Sequence, residues 1–237
     1  MKRIILAEPI HYVLQGEGIN IGKKMILIRL AGCNIQCPEC DTIYSWKFPK
    51  ERKALLHLSL QELIEEIHMI NKNIKVNHLL ITGGEPAIWE KQLLELLINI
   101  KNFQFDIETS GYHEWNLIKS LKEIKHRIQF NISPKIGILK PARFLSIEQI
   151  KILKNPPENY IIKIVTSKNS FKEDLKHIKE LMKLYQIPEN KIFLMPFGKS
   201  REEIIEQGEF LIEQCFNYGF QFSPRLHILL FNNERLR

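Results

Sequence analysis

"MILIRLAGCNIQCPECDTIYSW", residues 25–46, begins as an apolar run and passes straight into three of the chain's four cysteines. MILIRL (25–30) has the length and the Ile/Leu content of a buried strand, and it ends where Gly32 and Cys33 begin a loop. The same junction recurs along the chain. VNHLLIT (76–82) leads into TGGEP (82–86), FQFDIET (103–109) into ETSG (108–111), RIQFNIS (127–133) into SPK (133–135), and KIFLMP (191–196) into PFG (196–198). YIIKIVT (160–166) completes six strand patterns. Helical patterns lie between most of them. SLQELIEEIHMINK (59–72) opens with Ser59 and carries Glu62 three positions later, the signature of a capping box. EKQLLELLINIK (90–101), EWNLIKSLKEIK (114–125), FKEDLKHIKELMKLY (171–185) and REEIIEQGEFLIEQCF (201–216) carry apolar residues at helical spacing. Strand alternating with helix predicts an α/β fold with right-handed crossovers and a mostly parallel sheet. About six such units are too few for a closed eight-stranded barrel and suit an open or partial (β/α)6-type one. In such folds ligands bind at the carboxyl ends of the strands, which is where the small, polar and glycine residues gather.

The 237 residues are 44% hydrophobic and 26% charged, the composition of a globular protein with a sizeable core, and they are expected to form a single domain over 1–237. No eighteen-residue apolar stretch is present, so no membrane partner is expected. Glu8 and Pro9 interrupt the amino terminus before an export signal could form. The expectation is a cytoplasmic protein, where clustered cysteines serve metals or catalysis rather than disulfides. The net charge of +7 raises a nucleic-acid reading, but no basic run exceeds two adjacent residues and the lysines alternate with glutamates. No direct nucleic-acid partner is expected.

Cys33, Cys37 and Cys40 are spaced Cys-x3-Cys-x2-Cys in a loop that contains Pro38, which is unlike the periodicity of core cysteines. Structural zinc wants four ligands, and the fourth cysteine, Cys215, falls in an amphipathic helix and reads as core. An iron–sulfur cluster is the remaining candidate. A four-iron cluster on three thiolates leaves one iron free for a substrate or cofactor, a catalytic rather than a structural design.

This spacing, followed by GGEP, resembles the signature of the radical S-adenosylmethionine (SAM) superfamily, which implies a partial radical SAM barrel with its 4Fe–4S cluster loop at 33–40. The flanks LQGEG (14–18), RLAGC (29–33), CDTIYSW (40–46), TGGEP, ETSG and SPK, with RLH (225–227) as a weaker match, are similar to the 7-carboxy-7-deazaguanine synthases of that superfamily. The resemblance implies conversion of 6-carboxy-5,6,7,8-tetrahydropterin to 7-carboxy-7-deazaguanine with loss of ammonia, a step toward 7-deazapurines such as queuosine. It implies a 4Fe–4S cluster on Cys33, Cys37 and Cys40, with no catalytic residue beyond cluster and cofactor. It places SAM against Glu39, Cys40, Asp41, Gly84, Glu108, Ser133, Pro134 and Lys135. It places the pterin against Leu14, Gln15, Gly16, Arg29 and Thr82, and Mg2+ on Thr42. Arg29 also suits a carboxylate on chemical grounds, since a guanidinium closing an apolar strand is costly to bury without an anion. One departure stands out: the residue before the third cysteine is often aromatic or His in the superfamily, and here it is Glu39. Members are commonly homodimers reduced by a donor such as flavodoxin or ferredoxin. Two alternatives are a glycyl-radical-enzyme activating enzyme, which shares the cysteine spacing, and a basic RNA-binding protein with a zinc-stabilised loop.

Overall fold

The computed structural model describes residues 3–47, 55–120, 122–137, 146–232 and 234. All six predicted strands are present, with ends shifted by at most two residues. They are β3 (Lys24–Leu30), β5 (His78–Gly83), β6 (Gln104–Thr109), β7 (Ile128–Ile132), β8 (Tyr160–Thr166) and β9 (Ile192–Pro196). They run parallel and adjacent in that order, and a two-residue β10 (Gln221–Phe222) extends the sheet beyond β9.

Three further strands precede or follow β3 and are antiparallel additions. β1 (Ile4–Leu6) and β2 (His11–Leu14) both pair with β3 on the side away from β5, β2 along its amino half and β1 at its carboxyl end. β4 (Leu56–Leu58) pairs with β1. MILIRL is therefore the third strand of the chain rather than its first. The described strands form one open sheet running from β10 to β4, with β2 off that path, so the barrel is partial, as expected.

Four amphipathic helices cover the outer face: α1 (Leu60–Ile74), α2 (Glu90–Asn99), α4 (Phe171–Tyr185) and α5 (Arg201–Tyr218). Ser59 and Glu62 make the predicted capping box on α1, and Ser200 and Glu203 make another on α5. The helix predicted over 114–125 is reduced to α3 (Asn116–Ser120), and Leu121 lies outside the described residues. Trp115, just before α3, is fully buried edge-on to Phe130 at 5.3 Å, so packing of the aromatic ring rather than helix propensity settles this segment. A last helix, α6 (Leu226–Phe231), follows β10 and was not foreseen.

Alternation along the strands separates two faces. Ile26, Ile28, Leu30, Leu79, Ile81, Phe105 and Ile107 join the large core beneath the helices. Met25, Leu27 and Leu80 form a separate small cluster with Val13 on the concave face. Above that plug, toward the carboxyl ends, the same face changes character: Arg29 stands in register beside Thr82, and Glu108 beside Asn131. Cys215 is buried in α5, as its helical position predicted.

Candidate active site

The cysteine loop and the GGEP loop share one backbone seam at the carboxyl ends of β3 and β5. Gly84 N–H donates to the Leu30 carbonyl at 3.0 Å, and Glu85 N–H to the Gly32 carbonyl at 2.9 Å. A Cβ on Gly84 would lie 1.8 Å from the Gly32 oxygen, so only glycine permits the approach. Gly32 N–H in turn donates to the Ser45 carbonyl, and the Trp89 indole donates to the Ala31 carbonyl, each fixing the root of the loop. Thr42 opens the short turn Ile43–Ser45, with its hydroxyl 3.7 Å from the Cys40 sulfur.

Glu85 ties this seam to the next strand. Its buried carboxylate accepts the Ala87 N–H at 3.1 Å, the Thr109 hydroxyl at 2.6 Å, the Ser110 N–H at 2.9 Å and the Ser110 hydroxyl. Thr109 C=O then accepts from Ser133 N–H at 2.8 Å, and the Lys135 ammonium donates to the Ser133 hydroxyl at 3.2 Å. GGEP, ETSG and SPK are thus one continuous hydrogen-bonded rim. The GGEP motif alone does not reveal that its Glu85 side chain is the fastener.

The three thiols are free of disulfides, with Cys37 buried and Cys33 and Cys40 half-buried. Cys33 Sγ accepts the Ile35 N–H at 3.4 Å, and Cys40 Sγ accepts the Trp46 indole N–H at 3.3 Å. Burial pushes the Cys37 thiol up to about 11, against the pull of the nearby Lys135 charge. Cys33 is pushed up by burial too, opposed by the backbone N–H groups of Ile35 and Gln36. Among the described residues no three His, Cys, Asp or Glu side chains are grouped around a single ion. The N–H donors to Cys33 and Cys40 suit the charge that cluster-bound thiolates carry.

A second wall comes from the LQGEG loop. Gln15 is buried, its Oε1 accepting the Glu17 N–H at 3.2 Å and its Nε2 donating to Glu108 Oε1 at 3.4 Å. Lys163, on β8 and 2% exposed, donates to Glu17 at 2.7 Å and also to Glu108. Asn131 donates to Glu108 at 3.2 Å, and Asn20 to Asp106 at 2.8 Å. Burial pushes Glu108 up from the usual carboxylate range, with Lys163 opposing and Glu17 adding repulsion. Its hydrogen-bond partners Gln15, Asn131 and Lys163 all donate, so the carboxylate is the form they hold. Glu17 goes the other way: burial would raise it, but Lys163, His227 and Arg225 outweigh that and hold it low.

The chain's carboxyl-terminal part closes this wall. Gly18 N–H donates to the Ser223 hydroxyl at 2.7 Å, and Leu226 N–H to the Gly16 carbonyl at 2.9 Å. A Cβ on Gly16 would meet the His227 ring at 2.3 Å. Arg225 reaches Asp41 at 2.7 Å and Glu17 at 3.5 Å, joining the cysteine loop to the LQGEG loop.

Two further predicted site residues have ion-pair partners of their own. Arg29 is paired by its Nε to Glu8 at 2.6 Å, beside the Tyr44 ring. Burial alone would raise the Glu8 carboxyl; Arg29 overrides it and the net direction is down. The anion that Arg29 was argued to need is thus supplied first by the chain itself. Glu39, in place of an aromatic, meets Lys199 in an exposed ion pair at 3.1 Å. Leu14 turns the other way: its side chain is 49% exposed and lines a surface groove with Tyr12, Leu226 and Phe231.

A partial α/β barrel with three thiols on the loop after its first parallel strand is the architecture of a radical SAM enzyme, and the Radical SAM superfamily model matches residues 27–137. Over 228 residues the chain is 31% identical to a 7-carboxy-7-deazaguanine synthase from Pyrobaculum aerophilum, covering 94% of this chain and 92% of that one. It is 30% identical over 230 residues to the enzyme of the same name from Aquifex aeolicus, covering 94% and 92%. A crystal structure of QueE from Escherichia coli superposes with a TM-score of 0.69 at 26% identity, covering 95% of each chain. The chain belongs to the 7-carboxy-7-deazaguanine synthase family of radical SAM enzymes. Neither the activating-enzyme reading nor the RNA-binding reading is favoured by these relatives. The family brings a 4Fe–4S cluster and SAM as cofactors, and the cysteine loop fits the cluster on the grounds given above.

Proposed function

We propose that this chain converts 6-carboxy-5,6,7,8-tetrahydropterin to 7-carboxy-7-deazaguanine and ammonia, a step in 7-deazapurine biosynthesis. The observation that carries this reading is the pair Arg29 and Thr82, side by side in register at the carboxyl ends of β3 and β5 where the cysteine-loop seam is tied, with Gln15 reaching Glu108 near the end of β6. In this reading Cys33, Cys37 and Cys40 hold the cluster. The Gly84 backbone, the stretch Glu39, Cys40 and Asp41, and the rim Ser133, Pro134 and Lys135 hold SAM. Bound together, cluster and SAM supply a 5′-deoxyadenosyl radical that can remove hydrogen from the pterin carbon bearing the carboxylate.

The chain's own residues bind and orient. Arg29 keeps its terminal nitrogens for the substrate carboxylate while Glu8 holds its Nε, so the fork is aimed before substrate arrives. Thr82, next to it in register, offers a hydroxyl. Leu14 and Gly16 contribute backbone groups, and Gln15 an oriented carboxamide. A carboxylate has about four lone-pair sites. Three on Glu108 are taken by Gln15, Asn131 and Lys163, which leaves one for a ribose hydroxyl. Thr42 gives one oxygen to Mg2+, whose remaining ligands are substrate oxygens and water.

We further read the protein as a cytoplasmic homodimer reduced by a flavodoxin or ferredoxin; among the described residues no helix is long and apolar enough to cross a membrane. The test is anaerobic turnover of the reconstituted protein with carboxypterin, SAM and dithionite, with and without Mg2+. A deazapurine chromophore with release of ammonia is the expected result, faster with Mg2+. Cleavage of SAM without any deazapurine would overturn the substrate assignment.

A further inference from the structure

Four residues around the concave face close a hydrogen-bonded ring. Gln15 donates to Glu108, Glu108 accepts from Lys163, Lys163 donates also to Glu17 at 2.7 Å, and the Glu17 N–H returns to the Gln15 oxygen at 3.2 Å. Three chain segments far apart in sequence meet in it: the loop after β2, the end of β6 and the middle of β8. At its centre is the least expected residue, a lysine 2% exposed within the strand YIIKIVT. Burying an ammonium is costly unless it is paired, and here two carboxylates pair it at once.

We propose that Lys163 is a positioning residue for the substrate: through Glu17 and Glu108 it aims the Gln15 carboxamide and keeps the LQGEG loop in its binding geometry. The inference rests on the reaction assigned above and adds to it the residue that orders the substrate wall. Without the ammonium, two buried carboxylates would face each other, and like charges in a buried site force one to take a proton. Asp106 beside Glu108 adds to that pressure, while Arg225 and His227 bear on Glu17 from the other side. A protonated Glu108 would donate where Gln15 now donates, and the carboxamide would turn away. Loss of Lys163 should therefore misplace the substrate while leaving the cysteine loop, which the ring reaches only through Arg225, able to take up iron.

The experiment compares wild type, Lys163→Met and Lys163→Arg as reconstituted enzymes. It follows deazapurine formation, 5′-deoxyadenosine formation, cluster absorbance, and binding of 6-carboxypterin by its fluorescence. The Met variant should keep its cluster and most of its 5′-deoxyadenosine formation, since Glu108 gives SAM a single ribose acceptor and the other residues assigned to SAM lie outside the ring. Its kcat/KM for deazapurine should fall by about 100-fold, the scale of a small misplacement in an active site. 6-Carboxypterin should bind more weakly, and more 5′-deoxyadenosine should be spent per product. Its kcat/KM should also rise with pH across the neutral range as the trapped proton leaves, a limb absent from wild type. The Arg variant, still able to donate to both carboxylates, should recover at least tenfold and lose that limb, about 1.4 kcal/mol of transition-state binding. Equal coupling and pterin binding in Met variant and wild type overturn the proposal. So does a parallel loss of 5′-deoxyadenosine and product. If the Met variant does not fold, Lys163→Gln, a polar replacement that also removes the positive charge and leaves both carboxylates in place, is read by the same criteria. A wild type that makes no deazapurine defeats the reaction assignment instead, so the two failures are distinct.

Discussion

Gly84 runs against the Gly32 carbonyl with no space for a side chain, since a Cβ at 84 would sit 1.8 Å from that oxygen. Two loops that are separate in sequence are thereby one structural object, and the cysteine loop takes its shape from the GGEP loop.

Gly84→Ala should push the seam apart without unfolding the helices. Activity is expected to drop by about 100-fold or more, with cluster loading reduced and the far-ultraviolet circular dichroism retained. Gly208, in α5, is the matched control: an added Cβ meets only Phe222 at 3.5 Å. Gly208→Ala should leave activity unchanged and raise stability by up to about 1 kcal/mol, because alanine favours the helix.

Glu85→Ala should leave the Thr109 and Ser110 donors buried without their acceptor. A cost of about 3 kcal/mol is expected in urea titration, the scale of several lost hydrogen bonds to a charged group. A variant as stable as wild type would show that the rim is held by something other than this carboxylate.

Cys33→Ala, Cys37→Ala and Cys40→Ala should each abolish turnover and most of the cluster's visible absorbance. Cys215→Ala should do neither, and should cost only about 1 kcal/mol for the small void it leaves in α5. Full turnover by Cys33→Ala would refute the cluster assignment.

Glu17 predicts an acid limb of known sign. Its folded pKa lies below the ordinary value of 4.5, since Lys163, His227 and Arg225 outweigh the effect of burial. A depressed carboxylate contributes stability that is present above 4.5 and is lost as the pH falls below it. The stability gap between wild type and Glu17→Gln should therefore be constant near neutrality and shrink as the pH is lowered from about 5 to about 3, read as urea midpoints.

The parallel strands were legible because each is short, rich in Ile, Leu, Phe or Val and bounded by turn or polar residues, even where Asp106, Asn131 and Lys163 interrupt three of them. β1, β2, β4 and β10 span only two to four residues each, too short to show a period, and long-range pairing alone makes them strands. The cysteine loop was legible because its three thiols are local in sequence. The ring of Gln15, Glu17, Lys163 and Glu108 was not, because its members come from separate elements and only register brings them together. One signal was available: a lysine inside YIIKIVT has no reason to be in a buried strand unless carboxylates await it. Arg29 shows the opposite case. Its need for an anion was read correctly from its setting, but Glu8 lies on a segment whose path depends on two short strands that went unread.

The stitches from Gly16 to Leu226, Gly18 to Ser223 and Asp41 to Arg225 join segments some two hundred residues apart. A growing chain on the ribosome therefore exposes its three clustered thiols long before the opposing wall exists. Until residues 223–227 have been translated, the nascent protein can fold most of its sheet yet owns no finished chamber in which to shelter a reactive radical.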